Sequence, residues 1–467
     1  MAQTSIIFRL ELNHQQVSFG DVAAAISKAG GDITSIDVIR SGQDSSIRDI
    51  TVDLADKDEA KIVDALKKLN GTQLINVSDR TFLVHLGGKI TVQPTLPIKN
   101  RDDLSKVYTP GVARVCTAIH ENPKKAYSLT IKRNTVAVIT DGTAVLGLGD
   151  IGPYAAAPVM EGKAMLFKQL AGVDAFPICL NTKDTEEIIR TIKAISPIFG
   201  GINLEDISSP RCFEIESRLA EELDVPVFHD DQHGTAVVVI AGLLNALKVV
   251  GKRIENIRVV VNGIGAAGVS ICKMLLEAGV TRLVPVDREG AIVRRGEYAH
   301  PMWQWLADQP QVENTTGTLQ EVIQEADVFI GVSQGRLLKE EDVKRMAPKS
   351  IVFAMANPEP EIMPEEALPH VSVYATGRSD FPNQINNVLV FPGIFRGALD
   401  CRARRINEPM KLAASRAIAS VVSESELNDH YIIPSIFNEA VVTQVRKAVI
   451  EAAIITGVSR RIPPDFR

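Results

Sequence analysis

Two short acidic stretches contain residues that could do chemistry together. FHDDQHGTA places Asp230 and Asp231 between two histidines, and NLEDIS places Glu205 beside Asp206. Each pair follows a predicted strand, and the C-terminal ends of parallel strands meet at one edge of a sheet. Carboxylates brought together repel one another, and a hard octahedral cation such as Mg²⁺ or Mn²⁺ removes that difficulty. Because an aspartate before a helix is also a common N-cap, either pair alone has a structural interpretation.

The two histidines of FHDDQHGTA also allow a zinc interpretation, which their setting does not favour. His229 and His233 are four residues apart, but a strand-to-helix turn is expected between them. A zinc site would need a further soft ligand, and none is near in the sequence. We therefore expect supporting or structural roles for both histidines.

A tyrosine and a lysine are candidates for proton transfer. VYTPGVA places Tyr108 before a Thr-Pro-Gly turn, and PVMEGKAMLFK places Lys163 at the start of a predicted helix. A single residue of either type carries little information. A lysine desolvated near a helix N-terminus and a metal would, however, be shifted towards its neutral, base-competent form.

The most informative run of the chain is a dinucleotide-binding fingerprint. In IRVVVNGIGAAGVSICKMLLEAGVTRLVPVD, a β-branched strand leads into a glycine-rich turn, a helix and a second strand that ends at Asp287. The glycines allow a tight turn, close approach of a pyrophosphate and close packing of helix on strand. The expected binding loop consists of Gly263, Ile264, Gly265, Ala266, Ala267 and Gly268.

The choice between NAD and NADP stays open. Asp287 can accept hydrogen bonds from the adenine ribose, which favours NAD. Arg288, Arg294 and Arg295 are nevertheless close enough in sequence to offer a partner for the 2′-phosphate of NADP.

A second glycine motif and an asparagine are expected near the same site. GLGDIG, residues 147–152, lacks a following strand with an acid, and Asp150 would repel a pyrophosphate. We therefore expect a glycine loop packed against the active site. Asn357 stands just past a predicted strand of the dinucleotide domain, where ligands of doubly wound sheets bind.

The elements that must position these residues fall into three predicted domains. Residues 1–90 alternate as β-α-β-β-α-β, the order of a ferredoxin-like split βαβ unit. Residues 91–235 alternate strands and helices as an α/β substrate and metal domain, and residues 236–467 form a Rossmann-type domain with C-terminal helices. The predicted fold class is therefore α/β with an N-terminal α+β domain.

Composition excludes several classes of function. The net charge of −6 gives no basic face for nucleic acid. The longest apolar stretch, TAVVVIAGLLNALKVV, is shorter than a typical membrane span and contains Asn245 and Lys248. Five scattered cysteines without a C-x-x-C pair are typical of reduced thiols, and the N-terminus does not resemble a signal peptide. We expect a cytoplasmic protein that binds neither nucleic acid nor a membrane.

Seven motifs, in order along the chain, resemble those of the bacterial malic enzymes, oxidative decarboxylases of malate. The likeness runs from about Leu104 to the C-terminal IIPSIFNEAV. The motifs are VYTPGVA, TDGTAVLGLGDIGPYAAAPVMEGKAMLFK, NLEDI, FHDDQHGTA, NGIGAAG, ANPEPE and INNVLVFPG. The N-terminal domain, with Gly30-Gly31 after its first helix, resembles the ACT domains that bind small metabolites, and a plain dimerisation module fits it equally well.

The resemblance implies a role for each matching residue. Tyr108 would be the general acid and Lys163 the general base, with malate as substrate and a homodimer as the expected assembly. Asn357 and Asn387 would contact the substrate or the nicotinamide. The implied metal ligands, for Mg²⁺ or Mn²⁺, are Glu205, Asp206 and Asp231.

Two other readings of the same domains remain. One is an amino-acid dehydrogenase linked to an ACT domain, and the other is a metabolite sensor without catalytic activity. The paired acids and the YTPG motif favour malate, and the presence of every proposed catalytic residue argues against a sensor.

Overall fold

The computed structural model describes residues 4–54 and 59–466, and the chain divides into two compact units, residues 1–91 and 92–467. Each unit has its own sheets and its own hydrophobic core. The units are described separately below.

The N-terminal unit confirms the predicted order of elements. Its antiparallel sheet has the strand order β2-β3-β1-β4, and both longer helices pack on one face. Alternate residues of β1 are buried, including Phe8 and Leu10, because successive side chains of a strand point to opposite faces. The elements are β1 (Thr4–Asn13), α1 (Phe19–Lys28), β2 (Gly31–Ser41), β3 (Ser45–Leu54), α2 (Glu59–Lys67), β4 (Thr72–Asp79) and the short α3 (Arg80–Leu83).

The second unit begins with three short helices that contribute no buried residue. They are α4 (Arg101–Val107), α5 (Val112–Glu121) and α6 (Ala126–Leu129). The sequence showed no sustained periodicity in the region of α4. The helix forms there because Asn100 caps it, accepting a hydrogen bond from the backbone N–H of Asp103 at 2.8 Å.

A four-stranded parallel sheet follows, with the strand order β6-β5-β7-β8. Strands β7 and β8 are neighbours, and Leu204 pairs with His229 at their C-terminal ends. The residues that follow the two strands therefore meet at one edge, as the sequence predicts. The elements are β5 (Thr135–Thr140), α7 (Gly152–Ala171), β6 (Asp174–Cys179), α8 (Thr185–Ile195), β7 (Gly201–Leu204), α9 (Arg211–Glu222) and β8 (Val227–His229).

A π-helical turn, Asp230–Gly234, leads into the central helix α10 (Thr235–Val250). By length and composition alone, the stretch Asp230–Val250 is long and apolar enough to cross a membrane, although the run TAVVVIAGLLNALKVV within it is shorter than a typical span. Because 72% of its most apolar part is buried inside the fold, this stretch is buried like the core helix of a globular domain.

The six-stranded sheet of the dinucleotide domain confirms the Rossmann-type prediction. Its order is β11-β10-β9-β12-β13-β14, parallel except for β11, and the order reverses between β9 and β12. Two strands, β11 and β14, were not predicted, and the helix expected over LKEEDVKRMA is limited to α14. The elements are β9 (Arg258–Asn262), α11 (Ala266–Ala278), β10 (Arg282–Asp287), β11 (Gly290–Ala291), α12 (Pro301–Ala307), α13 (Leu319–Val322), β12 (Val328–Gly331), α14 (Glu340–Val343), β13 (Ile351–Ala354), α15 (Pro364–Ala367) and β14 (Val373–Thr376).

Three C-terminal helices complete this unit: α16 (Phe391–Asp400), α17 (Glu408–Val421) and α18 (Ala440–Ile455). They share a core with α10 and with both parallel sheets. The aromatic rings of Phe167, Phe391 and Phe395 pack together, with centroids of Phe167 and Phe391 4.7 Å apart. One continuous core thus holds the acidic edge of the first sheet in a fixed position.

Candidate active site

Three carboxylates converge at the C-terminal edge of the first parallel sheet. Glu205 and Asp206 follow β7, and Asp231 follows β8. One oxygen from each lies within 4.8 Å of the other two. The backbone N–H of Asp206 donates to Asp231 Oδ2 at 2.8 Å, and Asp206 adopts a left-handed conformation with φ of 54°. The sequence prediction that these acids meet at one edge is therefore correct in geometry.

The three acids are costly to keep ionised without a cation. Burial raises the pKa of Glu205 to about 7 although the nearby charge of Lys163 acts to lower it. Burial, and then the neighbouring carboxylates, raise the pKa of Asp206 to about 9 and that of Asp231 to about 6. Asp206 Oδ2 is buried and has no hydrogen-bond partner among the described residues. A set of carboxylate oxygens with one oxygen unpartnered fits a hard divalent cation such as Mg²⁺ or Mn²⁺.

Lys163 lies beside this cluster, but its setting differs from the sequence expectation. It stands in the middle of α7 rather than at a helix start. Its Nζ is 3.0 Å from Glu205 Oε1 and 2.5 Å from Asp230 Oδ2. Burial alone would lower the pKa of Lys163, but the charges of these two carboxylates raise it instead. The protein groups alone therefore favour the charged form of Lys163, whereas a bound cation would act in the opposite direction.

Asp230 joins the lysine to a second proposed site residue. Its Oδ2 accepts a hydrogen bond from Asn387 Nδ2 at 2.6 Å as well as the contact from Lys163. The Lys163 ammonium also lies 4.2 Å from the ring centre of Phe391. The sequence did not predict this contact of Phe391, because the residue belongs to an apolar run that indicates only a core position. Gly234 is required nearby, since a Cβ there would lie 2.0 Å from Asp230 Oδ1.

Tyr108 is not brought to this cluster by any contact within the described part of the chain. It is the C-cap residue of α4, and its side chain is 67% exposed. Its hydroxyl has no hydrogen-bond partner among the described residues. The structure therefore unites Lys163 with the three acids and leaves Tyr108 on the surface.

Of the two histidines, His233 is held by a glutamate and a lysine, and His229 is buried. His233 Nε2 is 2.6 Å from Glu216 Oε1, and Lys411 Nζ is 3.0 Å from His233 Nδ1. Although burial alone would raise it, these partners lower the pKa of Glu216 to about 2. Burial lowers the pKa of His229 to about 4, so this ring is neutral at physiological pH.

The glycine-rich turn forms one wall of a cavity of about 540 Å³. Gly263 has a φ of 100°, and a Cβ there would lie 2.7 Å from that of Ser333. A Cβ on Gly268 would lie 1.9 Å from the carbonyl oxygen of Gly263, whereas one on Gly265 would meet no atom within 4 Å. Gly265 therefore leaves open space at the N-terminus of α11. Asp287 lines the same cavity.

The glycine motif at residues 147–152 packs near a proposed substrate residue. A Cβ on Gly147 would lie 3.0 Å from the carbonyl oxygen of Asn357. Asn357 follows β13 and is exposed. The loop is held at its base by Arg211, whose Nη2 donates to Asp141 Oδ2 at 2.8 Å. This ion pair was missed because no local motif links residues so far apart in sequence.

A Rossmann-type cleft, and a separate parallel sheet with a lysine among clustered carboxylates, define a nicotinamide-dependent dehydrogenase with a set of acids that could hold a cation. The sequence matches two family models, "Malic enzyme, N-terminal domain" over residues 87–220 and "Malic enzyme, NAD binding domain" over residues 232–454. The chain belongs to the malic enzyme family.

Individual relatives agree with this assignment. The chain is 68% identical to the NAD-dependent malic enzyme of Geobacillus stearothermophilus, over 98% of this chain and 96% of the relative. It is 56% identical to the bifunctional malic/malolactic enzyme of Bacillus subtilis, over 80% and 92%. The crystal structure of malic enzyme from Pyrococcus horikoshii superposes with a TM-score of 0.77 at 49% identity, covering 80% of this chain and 89% of that one.

Proposed function

We propose that this chain catalyses the oxidative decarboxylation of (S)-malate to pyruvate and CO₂ with reduction of a nicotinamide dinucleotide. The observation that carries the proposal is the buried Lys163, held by Asp230 and Glu205 at the edge of the three-acid cluster. Membership of the malic enzyme family supports the same reaction.

Lys163 is the group that takes the proton from the malate hydroxyl as hydride leaves C2. Asp230 fixes the direction of the ammonium, and Asn387 holds Asp230 in turn. Asn387 and Asn357 are the proposed contacts to substrate or nicotinamide. Tyr108 is the proposed acid that delivers a proton to C3 once CO₂ has left, and its exposed ring requires that the site close over it.

Glu205, Asp206 and Asp231 would hold Mg²⁺ or Mn²⁺. When bound, this ion supplies a Lewis acid that polarises the C2 carbonyl and stabilises the enolate formed by loss of CO₂. Glu205 and Asp206 are buried, which limits the competition of water for that charge, whereas Asp231 is partly exposed.

NAD is the proposed dinucleotide. Asp287 lines the cavity beside the glycine-rich turn, where a carboxylate accepts from the ribose 2′-hydroxyl and repels a 2′-phosphate. Arg288 lines the same cavity and is the group that could attract NADP. Comparing kcat/KM for the two dinucleotides tests the preference, and a higher value with NADP would overturn it.

For the N-terminal unit we propose an ACT-like domain, residues 1–90, that binds a small effector. Its βαββαβ order supports this role. Removal of these residues should abolish any response to candidate metabolites while leaving turnover intact. A truncated enzyme with unchanged kinetics and a changed oligomeric state would leave only a dimerisation role.

The remaining proposals concern the assembly and its setting. We propose a cytoplasmic homodimer, with a substrate and metal domain at 91–235 and a dinucleotide domain at 236–467. Exposed apolar side chains on α4, Leu104 and Val107, support burial against a second copy. Light scattering of the purified chain gives the mass directly, and a monomer at micromolar concentration would contradict the proposal.

The test of the reaction compares substrates under one set of conditions. Purified protein is assayed for reduced dinucleotide with malate or with amino acids, with Mn²⁺ or with a chelator. Of these substrates we expect only malate to be oxidised, and only when the divalent ion is present. Activity on an amino acid that survives chelation would indicate an ACT-linked amino-acid dehydrogenase, and no turnover of any substrate would indicate a metabolite sensor.

A further inference from the structure

A second large cavity, of about 760 Å³, lies in the second unit away from the acid cluster. Its walls include the turns that lead into β5, β7 and β8, which places it at the N-terminal edge of the parallel sheet. The acids follow the C-terminal ends of β7 and β8. Strands of this length separate the two edges by roughly 10–13 Å.

The lining of this cavity is strongly cationic. Four basic residues face it and only one acid does, so the lining carries a net charge of +3. Its charged residues are Lys124, Lys132, Asp224, Arg402 and Arg460. A concave surface with an excess of one charge attracts a counter-ion of the other.

The cationic groups are held in place before any ligand arrives. Lys132 Nζ donates to the carbonyl oxygen of Phe199 at 2.7 Å. Arg402 lies over the ring of Tyr127 at 4.9 Å and forms no ion pair among the described residues. Arg460 donates to Asp224 through both Nη atoms, at 2.8 and 2.9 Å. Preorganised donors lose little conformational entropy when an anion binds.

The balance of charge around the cavity leaves positive charge uncompensated. Asp224 engages Arg460, but its side chain is 82% exposed and therefore screened by water. Burial, and then repulsion by Arg461, lowers the pKa of Arg402 below its ordinary value. Burial likewise lowers the pKa of Lys132. A bound anion would relieve both costs.

We infer that this cavity binds a small multivalent oxyanion, either a phosphate or a polycarboxylate metabolite, at a site separate from the active site. Arg402 offers a planar guanidinium that matches either group in two-point contact. The Tyr127 ring forms the floor between Arg402 and Lys132. A ligand there bridges the turns before the strands to the segments after α16 and α18, and so stabilises the folded state.

The test is calorimetric titration of the full-length enzyme with Mn²⁺ and saturating NAD, which fills the dinucleotide cleft. Inorganic phosphate and tricarballylate serve as separate probes. The probe that binds more tightly shows whether the site prefers a phosphate or a polycarboxylate. We expect one saturable site, not displaced by malate, whose affinity falls as salt rises. Absence of heat with both probes, or displacement by malate, would overturn the inference.

Variants locate the site. Arg402→Gln should weaken binding about tenfold, and Lys124→Gln, on an exposed residue, about threefold. Arg405→Gln is the matched control, because this exposed arginine lies in the same loop and does not line the cavity. If Lys124→Gln and Arg402→Gln both left affinity unchanged, or if Arg405→Gln weakened it equally, the cavity would not be the site.

Discussion

At the residue scale, the site depends on one lysine held among carboxylates. Lys163 contacts Asp230 and Glu205, and each of these is in turn fixed by an asparagine: Asn387 on Asp230 and Asn203 on Glu205. Such an arrangement sets the direction of the ammonium, which matters more for proton transfer than its exposure does. FHDDQHGTA therefore supplies both a proposed metal ligand and the partner of the base.

Replacing the lysine tests its proposed role. Lys163→Ala should lower kcat by more than about a hundredfold, since a general base contributes at least that much. The affinity for NAD, measured by fluorescence titration, should persist. Lys168→Ala is the control, because this lysine of the same helix is exposed and pairs with Asp174 at the surface. Turnover of Lys163→Ala within tenfold of wild type would remove the base assignment.

Replacing an acid tests the cation site. Asp231→Ala should weaken Mn²⁺ binding by roughly a hundredfold, because it deletes one of three converging ligands. Asp150→Ala serves for comparison, since this exposed acid pairs with Lys183 outside the cluster. Free Mn²⁺ measured by electron paramagnetic resonance reports the affinity. Equal affinities for wild type and Asp231→Ala would contradict the ligand assignment.

At the element scale, the glycine-rich turn separates a folding requirement from a binding requirement. A Cβ on Gly268 would collide with the carbonyl oxygen of Gly263, so Gly268→Ala should lower stability by about 1–3 kcal/mol. Gly265→Ala meets no protein atom and should fold normally while binding NAD about tenfold more weakly, because a methyl group blocks the pyrophosphate. Urea unfolding and NAD titration distinguish the two. A stable Gly268→Ala with normal NAD affinity would contradict this division.

His229, the last residue of β8, also predicts a dependence of stability on pH. The pKa of His229 is lowered to about 4 in the folded protein, against an ordinary 6.5. Between these values the unfolded chain binds more protons, so stability falls as pH decreases through this window. From pH 7 to pH 5 the loss due to this group is about 2 kcal/mol. In His229→Gln the midpoint of urea unfolding should change less between pH 7 and pH 5 than it does in wild type. An equal change with pH in both proteins would refute the assignment.

Sequence patterns predict the elements well where a local rule applies. The fingerprint around Gly263 specifies strand, turn and helix because each glycine answers a local steric need. The convergence of Glu205 with Asp231 also follows from strand ends alone. The place of Lys163 in the middle of α7 did not follow, because α7 begins at Gly152 and runs through Pro158, a residue type that usually interrupts a helix. Its raised pKa depends on Asp230, a tertiary contact that periodicity does not reveal.

At the scale of the whole molecule, one core connects the two parallel sheets of the second unit. Helix α10 begins directly after the π-helical turn of the acid cluster and packs on α11, the helix of the dinucleotide turn. The dinucleotide turn and the turn that carries Asp231 are thus attached to helices that pack on each other. The N-terminal unit has a sheet and a core of its own, and its regulatory role stays a prediction.

We propose that the acid cluster and Lys163 form one active site in which NAD oxidises malate and the product loses CO₂. The most direct measurement follows reduced dinucleotide and pyruvate together, with malate, NAD and Mn²⁺, in wild type and in Asp231→Ala. We expect equal amounts of the two products from wild type, and loss of both in the variant although NAD still binds. Accumulation of oxaloacetate without pyruvate, or undiminished turnover by Asp231→Ala, would contradict it.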